Sequence, residues 1–326
     1  MATAFGAVTN GLTSAMPAAA ADRNVDMLIG GQAVIEGVMM RSLTGYSVAV
    51  RQPNGNIAIK QDKLASIAKK YPFLKFPVLR GSVVLIQSLI LGIRALNYSA
   101  AVSSENAEGE QEMSSAAVAG SMLIAMLLGL GVFILAPLGI ANLIRHFLMP
   151  KMTNFEYNVI DGVIRAIFFF VYIVSISFMD DIRRVFQYHG AEHKTVYTFE
   201  ANEDLTVENA RTKSRLHPRC GTSFLMFVLA ISIVVFSLVP STVPFVVKFL
   251  ARVVLIPLIA GLAYEVIRFS ARHLTNPVCR VMTQPGLWLQ KITTKEPDDS
   301  QLEIAIAALK TALTYDIVDD TQAAVA

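Results

Sequence analysis

The stretch NVIDGVIRAIFFFVYIVSISFM, residues 158–179, is long enough to cross the ~30 Å hydrocarbon core of a bilayer as one helix. Its charged residues, Asp161 and Arg165, are four positions apart, so they can pair on one helix face and satisfy each other in an apolar medium. The stretch therefore predicts a transmembrane helix.

Three more apolar runs have a similar length, at residues 117–144, 221–243 and 248–270. The chain as a whole is 54 % hydrophobic and 16 % charged, with a mean hydropathy of +0.51, which is too apolar for an ordinary soluble protein. We predict a mainly α, polytopic membrane protein with about four transmembrane helices, a small N-terminal β-unit and a cytoplasmic polar loop.

A fifth apolar run, residues 77–100, carries Arg80, Gln87 and Arg94. These side chains are costly in hydrocarbon, so this run is interpreted as an amphipathic helix that lies at the membrane interface or packs on the protein. It is not counted among the four spans.

The N-terminal part has a different composition. Residues 1–24 are rich in Ala and Thr and are predicted to be a disordered leader. Residues 25–76 contain short β-type runs and are predicted to form a small soluble β-unit. Within it, Asn54-Gly55 separates two such runs and is typical of the tip of a β-hairpin.

The connecting segments predict the orientation. Residues 180–220 carry many basic side chains, whereas the short loops near 145–157 and 240–248 carry few, so the long loop is expected in the cytoplasm. It separates two transmembrane helix pairs, 117–179 and 221–270. Four spans also place both termini in the cytoplasm, with residues 271–326 as a tail that contains an amphipathic helix.

The long loop holds the motif His189-Gly-Ala-Glu192-His193. If it is helical, the two histidines lie one turn apart on one face with the glutamate beside them, which is the spacing of the inverted zinc metalloprotease motif. In that chemistry the imidazoles bind Zn²⁺ and the carboxylate takes a proton from water. Gly190 costs about 1 kcal/mol of helix propensity relative to Ala, so a turn is the alternative.

Three more residues are candidate metal ligands. His217 and Cys220 follow in the same loop, and both are donor types that suit zinc. Glu265 is an intramembrane carboxylate near the end of the last run, and the alternative for it is an ion pair with Arg268 or Arg272. For the histidines, the alternative is a hydrogen-bonded polar loop. The sequence thus predicts a divalent metal site, with zinc the best match, whose candidate residues are His189, His193, His217, Cys220, Glu265 and the catalytic candidate Glu192.

Four segments together resemble the YqhQ-like family of bacterial membrane proteins, a domain of unknown function described as a predicted metal-dependent enzyme: GGQAVIEGVMMR (30–41), YHGAEHK (188–194), HPRCGTSF (217–224) and PGLWLQKITTKEPDDSQLEIAI (285–306). The resemblance covers about residues 27–312. It implies a multi-pass protein of the bacterial cytoplasmic (inner) membrane. Besides the histidine and cysteine motifs, it marks the residues Gly30, Gly31, Gln32, Glu36, Gly37, Arg41 and Arg219.

Two functions remain open at this point. The first is a metal-dependent hydrolase at the cytoplasmic membrane interface, with Glu192 as base. The second is a non-catalytic membrane scaffold, assembly or transport-associated factor with a structural metal site or none. A sphere of two His from the motif plus His217 and Cys220 would be full, which favours the second slightly. The expected partners are the lipid bilayer and a membrane protein or a second copy of the chain; the net charge of +3, spread along the chain, argues against nucleic acid.

Overall fold

The computed structural model describes residues 29–64, 76–104, 115–273 and 276–325. The predicted leader, 1–24, lies outside these residues. The description of the fold therefore begins at the β-unit.

The β-unit is an antiparallel sheet with the strand order β1-β2-β3-β4. The predicted hairpin at Asn54-Gly55 is confirmed, because β3 and β4 pair on either side of it and Gly55 has φ +85°. Asn54 contributes through its side chain, whose Oδ1 accepts a hydrogen bond of 2.9 Å from the Asn56 amide. The first two strands were not predicted individually. The strands are β1 (Gly30–Val34), β2 (Gly37–Arg41), β3 (Gly45–Arg51) and β4 (Ile57–Lys63).

Ten helices and one π-helical turn follow in the described residues: α1 (Leu79–Ser103), α2 (Ser115–Leu130), the π-helical turn (Gly131–Leu135), α3 (Ala136–Phe147), α4 (Asn154–Ile176), α5 (Asp180–Glu200), α6 (Val207–Arg211), α7 (Gly221–Ser237), α8 (Phe245–Arg272), α9 (Pro277–Thr293) and α10 (Asp299–Val325).

Successive side chains of a strand point to opposite faces of the sheet, and each face packs against helices. On one face, Met39 and Val48 pack with Leu91 and Ala95 in the second half of α1. On the other face, Val38, Met40 and Ala49 form a core with α5 and with the apolar side of α10, which contributes Leu302, Ile304, Ala305, Ala308, Leu309 and Ala312. The sheet, α5, α6 and α10 thus form a head domain, which we call the head.

The remaining long helices form two hairpins. The chain runs out from the head in α2–α3 and returns in α4, then leaves again in α7 and returns in α8. The two hairpin connections meet at the far end, where Asn154 Nδ2 donates to the Ser237 carbonyl at 2.6 Å. We call this four-helix part the bundle.

Four helices in the described residues are long and apolar enough to cross a bilayer: Leu79–Ser103, Leu123–Phe147, Asn154–Ile176 and Phe245–Ser270. The predicted fold class, a mainly helical membrane protein with about four such helices and a small N-terminal sheet, is confirmed. The four helices observed differ from the four predicted spans in one member. The run at 221–243 forms a helix that ends at Ser237 and has 17 residues, whereas α1 satisfies the length and composition.

The segment predicted as a polar loop, 180–220, is mostly helical, since α5 extends over Asp180–Glu200 and carries the whole histidine motif. Tertiary packing explains the difference. One side of α5 is buried against the sheet and α10, with Tyr188 and Ala191 fully inaccessible, and this burial outweighs the weak helix propensity of Gly190.

Candidate metal centre

Gly190 lies where α5 touches the segment between α9 and α10. A Cβ at this position would lie 2.1 Å from the carbonyl oxygen of Lys295. The same segment is fixed by a hydrogen bond of 2.8 Å from the Lys295 amide to the Phe186 carbonyl. Only a glycine therefore allows this approach, which brings the end of α9 beside the two histidines.

His189 and His193 lie one turn apart on the buried side of α5, with ring centroids 4.5 Å apart. His189 Nδ1 is 2.9 Å from the carbonyl oxygen of Thr293 at the end of α9, and His193 Nδ1 is 2.6 Å from that of Arg215. A carbonyl oxygen only accepts, so both Nδ1 atoms carry a proton and donate. In the neutral rings, both Nε2 atoms are then free to act as electron-pair donors.

Cys220 completes the group from a distant part of the chain. It is the N-cap of α7, and its Sγ lies 3.2 Å from His189 Nε2. Ligand atoms of His189, His193 and Cys220 all lie within 4.8 Å of one another. Cys220 and His193 are buried and His189 is half-buried. Within the described residues, Nε2 of His193 has no hydrogen-bond partner. A buried nitrogen without a partner is costly, and a metal ion bound there would remove that cost.

His217 is beside this group but does not join it. Its Nδ1 accepts a hydrogen bond from the Arg219 amide at 3.3 Å, and its Nε2 donates to Glu200 Oε2 at 3.2 Å. Both ring nitrogens are therefore occupied. Burial alone would raise the pKa of Glu200, but the hydrogen bond from His217 and the hydrogen bond and positive charge of Arg219 outweigh it and hold that pKa below its ordinary value.

Glu265 is elsewhere in the molecule. It accepts a hydrogen bond of 2.7 Å from Arg80 Nε in α1 and forms an ion pair with the same guanidinium. The amide of Val78 also donates to it at 3.3 Å. The carboxylate thus joins α8 to the start of α1. Among the described side chains its ion-pair partner is Arg80 and not Arg268, while the side chain of Arg272 lies outside them.

Glu192 lies between the candidate metal centre and the sheet. It is 6 % exposed, and its Oε2 is 3.4 Å from His193 Nε2. Its Cγ packs against Gly31 in β1, where an added Cβ would lie 2.7 Å from it. The glycine of the first motif therefore leaves room for the carboxylate of the second.

With this geometry established, comparison with known proteins gives the family. A family model described as a protein of unknown function, DUF1385, matches residues 76–315, well over half of the chain. The chain belongs to this family. It is also 36 % identical over 309 residues to the uncharacterized protein YqhQ of Bacillus subtilis (strain 168), covering 89 % of this chain and 94 % of that protein. The resemblance to the YqhQ-like family is thus confirmed. No solved structure matches.

The first motif lies before the matched DUF1385 segment and forms the β1–β2 hairpin. Glu36, in its turn, has φ +51°, a conformation that is strained for a residue with a side chain. Arg184 of α5 holds its carboxylate in a two-pronged ion pair, and Tyr188 donates to the same carboxylate at 3.3 Å. Burial and the nearby negative charge of Glu36 raise the pKa of Tyr188. Glu36 pairs with Arg184, so this hairpin is fixed to α5.

Sequence reasoning missed several groups that shape this candidate site. The carbonyls of Thr293 and Arg215 orient the histidines, and a backbone carbonyl carries no residue-specific signal. Glu200 ends α5 and occupies His217. The signal for Glu200 was its spacing, since it lies seven positions after His193 on the same helix and hence on the same face.

Proposed function

We propose that this protein is a membrane-embedded hydrolase of the zinc type, with His189, His193 and Cys220 as its three protein ligands and Glu192 as its general base. The observation that carries the proposal is the convergence of these three donors within 4.8 Å, with both histidines hydrogen-bonded through Nδ1 to backbone carbonyls. Metal-binding histidines are typically oriented in this way by a second hydrogen bond.

The number of ligands separates the catalytic from the structural alternative. Structural zinc is held by four protein groups, whereas catalytic zinc has three and keeps one position open. With His217 occupied by Glu200, three donors remain. This count favours catalysis, whereas the sequence alone, with His217 included, favoured a full sphere.

Glu192 supports a hydrolytic role. Its Oε2 lies 3.4 Å from Nε2 of His193, so the carboxylate would be close enough to take a proton from a water at the open position of a metal bound there. The carboxylate is also nearly inaccessible to bulk solvent. A bound Zn²⁺ lowers the pKa of a coordinated water to about 7 and so supplies a nucleophile at neutral pH. The substrate class that fits is a peptide or lipid-type bond presented at the membrane interface.

The location follows the same reasoning. Basic residues are concentrated in and next to the head: Arg183, Arg184, Arg211, Lys213 and Arg219. We therefore place the head and both termini on the cytoplasmic side of a bacterial inner membrane. Four crossings by α2–α3, α4, α7 and α8 agree with two hairpins that start and end at the head. The second half of α1 packs on the sheet, so we assign α1 to the interface and not to a fifth crossing.

The second candidate function is a non-catalytic membrane scaffold or assembly factor. One observation favours it, because the 3.2 Å contact between His189 Nε2 and Cys220 Sγ is also an ordinary hydrogen bond that needs no metal.

The deciding experiment measures metal in the purified full-length protein by mass spectrometry. We expect about one zinc per chain, a marked loss in His193→Ala, and full retention in Glu192→Gln. His273→Ala serves as the matched control, because His273 is exposed and bonds within its own helix. Wild-type metal content in His193→Ala would contradict the proposed ligand set.

A second measurement tests the open position without knowledge of the substrate. Cobalt(II) can replace zinc in such sites, and the visible absorption spectrum of the bound cobalt depends on its ligands. We expect a thiolate-to-cobalt band that disappears in Cys220→Ser and ligand-field bands that change when azide is added. A spectrum that azide leaves unchanged would indicate a closed sphere and would support the scaffold alternative.

A further inference from the structure

A pocket of about 540 Å³ opens at the end of the bundle far from the metal centre. Arg145 and His146 line it from the end of α3, Ser241 from the connection between α7 and α8, and Lys248 from the first turn of α8. Of the described residues that line this pocket, none is acidic.

Below the pocket, the positive charge continues into the bundle. Arg252 lies one turn further along α8 than Lys248, and Arg165 approaches it from α4. Both guanidinium groups bind the same oxygen of Asp161, at 3.0 Å and 2.6 Å. In the described part of the chain, Asp161 is the only carboxylate in an ion pair with any of the four cations, so it balances one of four positive charges.

The partners that Arg145 and Lys248 have among the described residues are all neutral. Lys248 Nζ donates to Asn142 Oδ1 at 2.7 Å and lies over the ring of Tyr157 at 4.7 Å from its centre. Arg145 donates to the Ser241 carbonyl and approaches the same ring at 5.9 Å. Carbonyls and aromatic faces attract cations, but they leave the net charge unchanged.

This unbalanced charge is buried. Lys248 is 4 % exposed and Arg252 is 1 % exposed, in helices whose other faces are apolar. Buried cations without counter-charges are strongly unfavourable, and charged residues inside apolar helices usually mark a binding or transport site. An anion in the pocket would supply the missing charge.

We propose that this pocket binds a phosphate-type anion. The guanidinium of Arg145 can form two hydrogen bonds to phosphate oxygens, and Lys248 contributes a compact charge. The helix α8 begins at Phe245 on the wall of the pocket, so the positive end of its dipole adds to the attraction.

The anion has two sources with the same chemistry, a lipid headgroup and free phosphate. The pocket is surrounded by exposed apolar residues at the level where α3 ends and α4 begins, including Phe147, Leu148 and Phe155. This position matches the depth of lipid headgroups, while the pocket volume also admits a small soluble anion. The experiment below separates the two.

The first arm titrates inorganic phosphate into the delipidated full-length protein at constant ionic strength and follows the midpoint of thermal unfolding. We expect a saturable rise in the wild type. The rise should be lost in Arg145→Gln and Lys248→Met, and retained in Lys248→Arg. Lys151→Gln is the matched control, because Lys151 is an exposed cation in the neighbouring connection and does not line the pocket.

The second arm extracts the protein from vesicles of phosphatidylglycerol and phosphatidylcholine and measures the retained lipids by native mass spectrometry. Retention of phosphatidylglycerol that requires Arg145 and Lys248 assigns the site to a lipid headgroup. A phosphate response without such retention assigns it to a soluble anion.

The proposal is overturned if the folded wild type gives neither response. It is also overturned if Arg145→Gln and Lys248→Met respond to the anion in the same way as the control Lys151→Gln. If Lys248→Met does not fold, Arg145→Gln and Lys248→Arg still decide. The phosphate response should also persist in His193→Ala, because this pocket and the metal centre lie at opposite ends of the bundle.

Discussion

Nε2 of His217 lies 3.2 Å from Oε2 of Glu200, and this contact turns the third histidine of the 180–220 segment away from the other two. Arg219 binds the same carboxylate at 2.7 Å from the other side. A residue that has the right type and position for a zinc ligand is thereby committed to a hydrogen-bonded group beside the centre.

From this contact we predict that His217→Ala retains the metal. Both nitrogens of His217 already have partners, so its removal takes no ligand from the centre. Cys220→Ser should lower the metal content, since a serine hydroxyl is a much poorer zinc ligand than a thiolate. The measurement is zinc per chain in both variants, prepared side by side. Equal losses would show that His217 is a ligand after all.

The lowered pKa of Glu200 predicts a pH dependence. Because the carboxylate is easier to ionise in the folded than in the unfolded protein, its stabilising effect is complete above the unfolded pKa of about 4.3 and is lost as the pH falls through the lower folded pKa. The difference in unfolding midpoint between the wild type and Glu200→Gln should therefore shrink from about pH 5 downward.

Glu208→Gln is the control for this measurement, because Glu208 is exposed and has no ion pair in the described residues. Its difference from the wild type should stay small and constant. A gap between the wild type and Glu200→Gln that widens on acidification would contradict the prediction.

Gly190→Ala should destabilise the protein even though Ala is the better helix former. The gain in propensity is about 1 kcal/mol, whereas forcing a methyl group against the Lys295 carbonyl costs typically 1–3 kcal/mol. Metal content should fall with it, because the same segment positions Thr293. In contrast, Gly139→Ala in α3 has open space and should be neutral or slightly stabilising. Thermal unfolding in detergent compares the two.

The orientation predicts a labelling pattern. Asp204→Cys in the head and Lys151→Cys at the far end both change exposed residues, while the native Cys220 and Cys279 are buried. A membrane-impermeant maleimide should label Lys151→Cys in intact cells and Asp204→Cys only after lysis. The reverse pattern would invert the assigned topology.

Features determined by local sequence were the ones that could be predicted. Hydropathy located the apolar helices, because bilayer thickness sets their length, and Asn54-Gly55 located a hairpin because the turn needs a positive φ angle. The spacing of His189 and His193 placed them on one face as soon as the segment was helical.

Long-range partners could not be predicted. The partner of Glu265 is Arg80, on a helix far earlier in the chain, and the helical state of the histidine motif depends on packing against a sheet whose first two strands lie in a glycine-rich motif. Likewise, the pair Asp161–Arg165 was visible as neighbours on one helix, but Arg252 reaches Asp161 only when the folded bundle brings α8 near α4.

The hydrogen bond from His189 to the Thr293 carbonyl also bears on the order of events during synthesis. All three proposed metal ligands have left the ribosome long before residue 293, yet the group that orients His189 comes after the last hairpin of the bundle. A nascent chain that stops at α8 would hold the donors without their arrangement. We therefore expect the metal to bind late, after membrane insertion and only once α9 has packed beside α5.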